Sequence, residues 1–318
     1  MSRPFVGVVG AGTWGRNIVR TLHGLGGMAA VAESDPDVRA RLAADYPDVA
    51  IYEDHASLLA NEDVDAVAIA TPVHTHHDLT RAALLAGKDV FIEKPISVST
   101  ADAETLVALA REKNLVLMVG HLLLYQPAIQ HLTREVRDGR IGKLLAMHQT
   151  RAKLGRARTF ENVMWSFSVH DLAVMLEVAG GPPTRVRALG QAVIQPSIHD
   201  DVHLHMEFPG GVQGHLHASW LWPEVERRLT VIGSQGMLVY DEVTQELVLH
   251  RKTIDDELAH FDEGAELLYK GNDQPLRLEL EHFIECCKTR ARPRTDGQSG
   301  VAVVRVMEEA QRQLDGGA

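Results

Sequence analysis

The stretch Phe5–Gly15, FVGVVGAGTWG, decides the fold of the first part of the chain. Phe5 to Val9 is a short β-rich apolar run that halts at Gly10. Beyond the loop, Trp14, Ile18 and Leu22 recur at helical spacing from Thr13 to Leu25, and Gly26-Gly27 ends the run. Glycines at 10, 12 and 15, with a strand before and a helix after, let the backbone approach a pyrophosphate resting on the helix N-terminus. The next apolar run, Met28 to Ala32, ends at an acid, Glu33, where a dinucleotide's ribose hydroxyls are bound. A carboxylate there repels a 2′-phosphate, and Arg39 is a helix turn away, which favours NAD over NADP.

Working outward, strand and helix alternate. Pro36 to Ala44 reads as helix, Val64 to Ala70 as strand, His77 to Ala86 as helix, Val90 to Ile92 as strand, Ala101 to Lys113 as helix and Leu115 to Val119 as strand. Strands separated by helices require crossover connections and a parallel sheet. The expected architecture is α/β: a doubly wound Rossmann domain over residues 1–120, then a substrate-binding and oligomerisation domain over 121–318, with the last helices packing back on the first domain.

The 318 residues are 45% apolar and 24% charged, with a formal net charge of -11, which disfavours a broad nucleic-acid-binding face. Only two cysteines occur, the adjacent Cys286 and Cys287, so no disulfide framework exists and a reducing, cytoplasmic setting is expected. The N-terminus reads as neither a signal peptide nor a span, and no apolar run approaches the ~18 residues a span needs.

In FIEKPI, Phe91 to Ile96, an acid and a base follow a buried strand and Pro95 stops it. In an open parallel sheet, ligands bind beyond the C-terminal strand ends. Glu93 and Lys94 therefore lie on the same rim as the glycine loop, where a lysine can donate to a substrate hydroxyl. A surface ion pair of little energetic weight is the plainer reading of these two residues taken alone. In order and spacing, GAGTWG, ATPVHTHHDL and AGKDVFIEKPIS resemble the Gfo/Idh/MocA family of nicotinamide-dependent sugar and polyol oxidoreductases, and the resemblance runs the whole chain. It implies a catalytic Lys94 and a cis Lys94-Pro95 bond. It also matches Thr71, Pro72 and His76 to positions that line the cofactor, so with the glycine loop and the strand ends the expected cofactor site is Gly10, Gly12, Thr13, Trp14, Gly15, Glu33, Thr71, Pro72, His76, Glu93 and Lys94.

From Gly142 the texture changes to long strand-like runs: Leu144–Lys153, Thr184–Val193, His203–Phe208, Val212–Leu221, Arg228–Ile232, Met237–Tyr240 and Glu246–Arg251. They predict a mostly antiparallel open sheet. A helix over Trp165–Val178 interrupts it, and helices over Leu276–Thr289 and Gln298–Leu314 close the chain. On the first of these, His170 and Asp171 break an apolar run. The family's usual proton acceptor is a histidine in this place, with an aspartate four residues earlier; here that position is Ser166. Either His170 with Lys94 then carries more of the proton chemistry, or Asp171 helps.

The segment RAKLGRARTFENV concentrates Arg151, Lys153, Arg156 and Arg158, either a solvated loop or a grip on an anionic diphosphate. Glu161 and Asn162 suit sugar hydroxyls and an N-acetyl group. Substrate contacts are thus expected from Arg156, Arg158, Glu161, Asn162 and Asp171. The longer segments GHLLLYQPAI, LGRARTFENVMWSFSVHD and SWLWPEVERRLTVIG resemble the family branch that oxidises UDP-N-acetylglucosamine at carbon 3 of the sugar, a step toward 3-amino sugars of bacterial glycolipid. The expected partners are a nucleotide sugar and further copies of the chain, not nucleic acid or membrane. Another sugar or polyol such as inositol, a keto-sugar reduction, or a non-catalytic NAD-sensing regulator are the alternatives.

One pattern stands apart from this chemistry. In HDDVHLHMEFPGGVQGHLHASW a hairpin register places His205 opposite His215 and His203 opposite His217 on one sheet face. No metal is assigned there, because histidine ligands need converging geometry and not proximity alone.

Overall fold

The structure, a computed structural model, describes residues 4–155, 157–271 and 274–316. It divides into two compact units, the described residues of Met1–Leu122 with Gln274–Val304, and those of Leu123–Asp273 with Arg305–Ala318.

The first unit is built on β1 (Val6–Val9), α1 (Gly15–Gly24), β2 (Met28–Ala32), α2 (Pro36–Asp45), β3 (Ala50–Tyr52), α3 (His55–Leu59), β4 (Ala66–Ile69), α4 (His76–Leu85), β5 (Asp89–Glu93), α5 (Thr100–Glu112) and β6 (Leu117–Gly120). The six strands are parallel in the order β3-β2-β1-β4-β5-β6. The order reverses at β1, so the glycine loop after β1 opens at the switch point of the doubly wound sheet. β1 and β4 to β6 are buried on both faces, which explains their unbroken apolar runs. The short β3 and α3 went unread because Ala50–Tyr52 is only three residues long and half-exposed.

The second unit contains α6 (Pro127–Arg137), β7 (Leu144–Ala152), α7 (Val169–Ala179), β8 (Arg185–Gln191), β9 (Asp201–Glu207), β10 (Gln213–Ser219), β11 (Glu226–Gly233), β12 (Gly236–Asp241), β13 (Glu246–Ile254) and β14 (His260–Lys270). Two helices follow, α8 (Pro275–Thr289) in the first unit and α9 (Gly297–Gly316), whose residues divide between the units at Val304. The eight-stranded sheet runs β14-β13-β12-β11-β7-β10-β9-β8, antiparallel throughout except between β7 and β10. In β9, Val202, Leu204 and Met206 are buried and alternate with exposed His203, His205 and Glu207. One face of this sheet therefore belongs to the core and the other is polar. Among the described residues no helix is long and apolar enough to cross a membrane.

Candidate functional site

The glycine loop has the conformation its sequence implies. Gly10 has φ +89°, and a Cβ on Gly15 would lie 2.1 Å from the Gly10 carbonyl oxygen, so neither position tolerates a side chain. A Cβ on Gly12 would meet nothing within 4 Å, which leaves open space over the loop. No side chain caps the N-terminus of α1, and its first turn holds no acidic residue. That end keeps the positive partial charge that suits a phosphate, although the Arg16 and Asn17 amides already donate to the Gly12 and Trp14 carbonyls. Glu33 accepts from the Ala11 amide at 2.7 Å and from the Asp35 amide at 3.0 Å, tying the end of β2 to the loop. Arg39 spends Nη1 on the carbonyl oxygens of Glu33 and Ser34. These residues fit a dinucleotide without a 2′-phosphate.

The same rim gathers the ends of β4, β5 and β6. The Lys94-Pro95 bond is cis. Trp14, next to the glycine loop, donates its indole N–H to the Glu93 carboxylate, which also accepts from the Lys94 amide. His76 is buried between two chain segments, with Nδ1 2.7 Å from the Pro95 carbonyl oxygen and Nε2 2.9 Å from that of Thr71. Burial pushes its pKa down, against the pull of those two carbonyls, so a neutral ring donates to one of them at a time. The Thr71 hydroxyl lies 2.7 Å from that of Thr75, which in turn donates to the Pro72 carbonyl. The loops after β4 and β5 are thus fastened together through side chains on the cofactor rim.

Sequence reasoning missed two groups here. His121 directly follows β6 and is buried, and neither of its ring nitrogens has a hydrogen-bond partner among the described residues. Burial, then the charge of Lys94, lowers its pKa to about 3, so the ring is neutral beside the lysine. The signal was its place after a parallel strand, in VGHLLLYQP. Glu279 of α8 is fully buried, and burial followed by the neighbouring charge of Glu93 raises its pKa well above the ordinary carboxylate range. Its sequence context, LRLELEHF, reads as an ordinary amphipathic helix and carried no such signal.

The second unit corrects several expectations. Arg151, at the end of β7, directs Nε and Nη2 to the Asp171 carboxylate at 2.8 to 3.0 Å, and Nη2 to Glu242 at 2.6 Å. Arg227 also donates to Glu242, at 2.8 Å. Burial opposes the charge on Glu242, but Arg151 and Arg227 outweigh it and hold the carboxyl below its ordinary range. Arg151 is therefore neutralised inside the protein and is not part of an anion grip. Asp171 is 1% exposed with both oxygens engaged by Arg151, so it is a positioning residue rather than a substrate contact. Asn162 is likewise internal: its Oδ1 accepts from the Trp165 amide at 3.2 Å and its Nδ2 donates to Gln311 at 2.9 Å. It serves as a helix cap, not a ligand for an N-acetyl group.

His170 sits half-buried in the first turn of α7, next to the anchored Asp171. A π-helical turn, Met164–Ser168, which contains Ser166, precedes it. Arg158 and Glu161 face each other at 3.5 Å, and the Arg158 guanidinium lies over the Phe160 ring at 5.9 Å. Arg156 lies outside the described residues.

Comparison with known proteins agrees with this architecture. Residues 5–121 match the profile of an oxidoreductase family with an NAD-binding Rossmann fold, and residues 129–239 match the Gfo/Idh/MocA C-terminal domain. The chain is 29% identical over 307 residues to the UDP-N-acetylglucosamine 3-dehydrogenase of Acidithiobacillus ferrooxidans, covering 94% of this chain and 93% of that protein. A crystal structure of that enzyme superposes with a TM-score of 0.86 at 26% identity, covering 98% of each chain. A shorter match, 35% identical over 178 residues, joins 54% of this chain to 52% of inositol 2-dehydrogenase 1 of Saccharopolyspora erythraea.

Proposed function

Because the chain belongs to the Gfo/Idh/MocA family of NAD-binding oxidoreductases, we propose that it oxidises a nucleotide sugar, UDP-N-acetylglucosamine, to the 3-keto form. One observation carries the choice of substrate: the similarity to the Acidithiobacillus 3-dehydrogenase runs end to end, through both units. The cofactor, when bound, accepts the hydride from carbon 3. His170 takes the proton of the 3-hydroxyl, a task suited to an imidazole near neutrality. Lys94 stabilises the developing alkoxide with a charge that is already in place. Glu93 holds the Lys94 amide and the Trp14 indole, so it orients the lysine's strand end instead of reacting. Asp171, fixed by Arg151, sets the first turn of α7 and with it the position of His170. Arg158 and Glu161 are the remaining described candidates for substrate contact. Holding the diphosphate remote from carbon 3 orients the sugar for transfer.

Purified protein with excess NAD is given UDP-N-acetylglucosamine, with the ketone trapped. NADH forms with the nucleotide sugar and not with free N-acetylglucosamine or inositol. Turnover of inositol alone would favour a polyol dehydrogenase, the reading supported by the half-length inositol match. No turnover despite NAD binding would favour a keto-sugar reductase or an NAD-sensing regulator. Lys94→Ala and His170→Ala are each expected to lose turnover by ~10² to 10⁴-fold while binding NAD normally. Retained activity in both variants would refute the roles.

A further inference from the structure

We propose that Asp201, His203 and His217 form a binding site for one borderline divalent transition-metal ion, represented by zinc, on the polar face of the second sheet. None of the three is assigned to cofactor or substrate. The strands place them together. Asp201 and His203 are two residues apart on β9 and share a face, and His217 on β10 pairs directly with His203. The donor atoms also converge. Nε2 of His203 lies 3.5 Å from one oxygen of Asp201, and Nε2 of His217 lies 3.1 Å from the other. The two imidazole rings are parallel within 2°, with centroids 4.1 Å apart, so both rings approach one carboxylate from the same side. All three candidate ligand atoms lie within 4.8 Å of one another.

Metal–nitrogen and metal–oxygen bonds of about 2.0 to 2.2 Å put donors around one ion ~3 to 3.5 Å apart. Each imidazole nitrogen already lies at that spacing from the carboxylate, His203 from one oxygen and His217 from the other. The set closes on one ion by tilting His203, whose side chain is 51% exposed and has room to move. The other two groups are better held: His217 is mostly buried, with the Trp222 ring against it edge-on at 5.2 Å, and Asp201 is half-buried. Neighbouring histidines have other engagements. His205 and His215 face each other through their Nδ1 atoms at 2.8 Å, and His148 stacks on His215. This distinguishes a three-donor set from a general histidine face. Two imidazoles and one carboxylate suit zinc and its neighbours in the first transition row; calcium and magnesium favour all-oxygen shells. Water completes the coordination.

The test uses tag-free, chelator-treated full-length protein titrated with zinc chloride in a non-coordinating buffer by isothermal calorimetry. The wild type is expected to bind one equivalent per chain. His203→Ala and His217→Ala should weaken binding by more than the ~10- to 100-fold that outer-shell changes cost, and His205→Ala should leave it unchanged. His203→Ala alters an exposed side chain, so unchanged metal-free thermal unfolding shows that its fold is intact. X-ray absorption at the zinc edge should report a nitrogen and oxygen shell. The proposal is overturned by an absence of saturable wild-type binding, by equal binding in the His203 and His217 variants, or by equal loss in His205→Ala. Sulfur ligation would likewise overturn it and move the site to Cys286 or Cys287.

Discussion

Glu279 has two buried carboxylate oxygens with no hydrogen-bond partner among the described residues, and Glu93 is its neighbouring charge. A carboxyl in that setting keeps its proton, because ionising it would place a second negative charge in a dry site. The consequence for stability has a definite sign. Burial raises the folded-state pKa well above 4.5, the ordinary value of a glutamate side chain in water. Above 4.5 the folded state therefore binds more protons than the unfolded one, and stability falls as pH rises until the folded pKa is passed. Glu279→Gln keeps the shape and removes the titration. Its stability relative to wild type, measured by urea unfolding from pH 4 to pH 8, is expected to rise with pH. A difference that stays flat or falls over that range would mean that Glu279 is ionised in the folded protein.

At the scale of elements, the informative case is the group of charges joining β7, α7, β11 and the turn after β12. Arg151 supplies the cation, Asp171 and Glu242 the two carboxylates, and Arg227 the second cation on Glu242. Removing one partner of a buried ion pair strands the others, which costs about 3 to 5 kcal/mol. Arg151→Ala is expected to lose stability of that order by chemical unfolding, far beyond a surface arginine; a loss under ~1 kcal/mol would place Arg151 among solvated charges. This group also shows where sequence reading reaches its end. The rim around Lys94 was legible because parallel strands end there, and strand ends follow from local apolar runs. The partner of Arg151 was not, since Glu242 lies 91 residues away and nothing local announces the pairing. Asn162 was misjudged for the same reason, its amide being satisfied by Gln311, 149 residues on. The helix α6 carried a readable signal, Pro127 at its start and buried Ala128, Ile129 and Leu132 at helical spacing. The strand β14 carried none: eight successive exposed residues show no alternation, because neither of its faces is buried.

That exposed strand raises a question about the whole molecule. β14 is an edge of the second sheet, eleven residues long, and leaves Phe261 and Leu267 about half-exposed, with Ile254 and Leu258 of the same hairpin more exposed still. Long edges invite pairing with another chain unless charge or curvature blocks it. Asp262, Glu263 and Glu266 lie on the strand, yet Asp262 and Glu266 are matched within the hairpin by Lys252 and Arg251, so their charge deters a partner less than their number implies. Apolar side chains grouped at such an edge mark an interaction surface. A second copy of the chain is the expected occupant, since closed homo-oligomers are the common solution for soluble enzymes. Sedimentation equilibrium of the wild type should then give a multiple of 35.0 kDa. Phe261→Lys with Leu267→Lys, both at exposed positions, should move the mass toward the monomer without lowering the metal-free unfolding temperature by more than a few degrees. A wild-type mass of one chain would show that the hairpin is solvated as it stands. An oligomer indifferent to both lysines would place the interface on another surface, and the polar face carrying His203 and His217 would be the next to substitute.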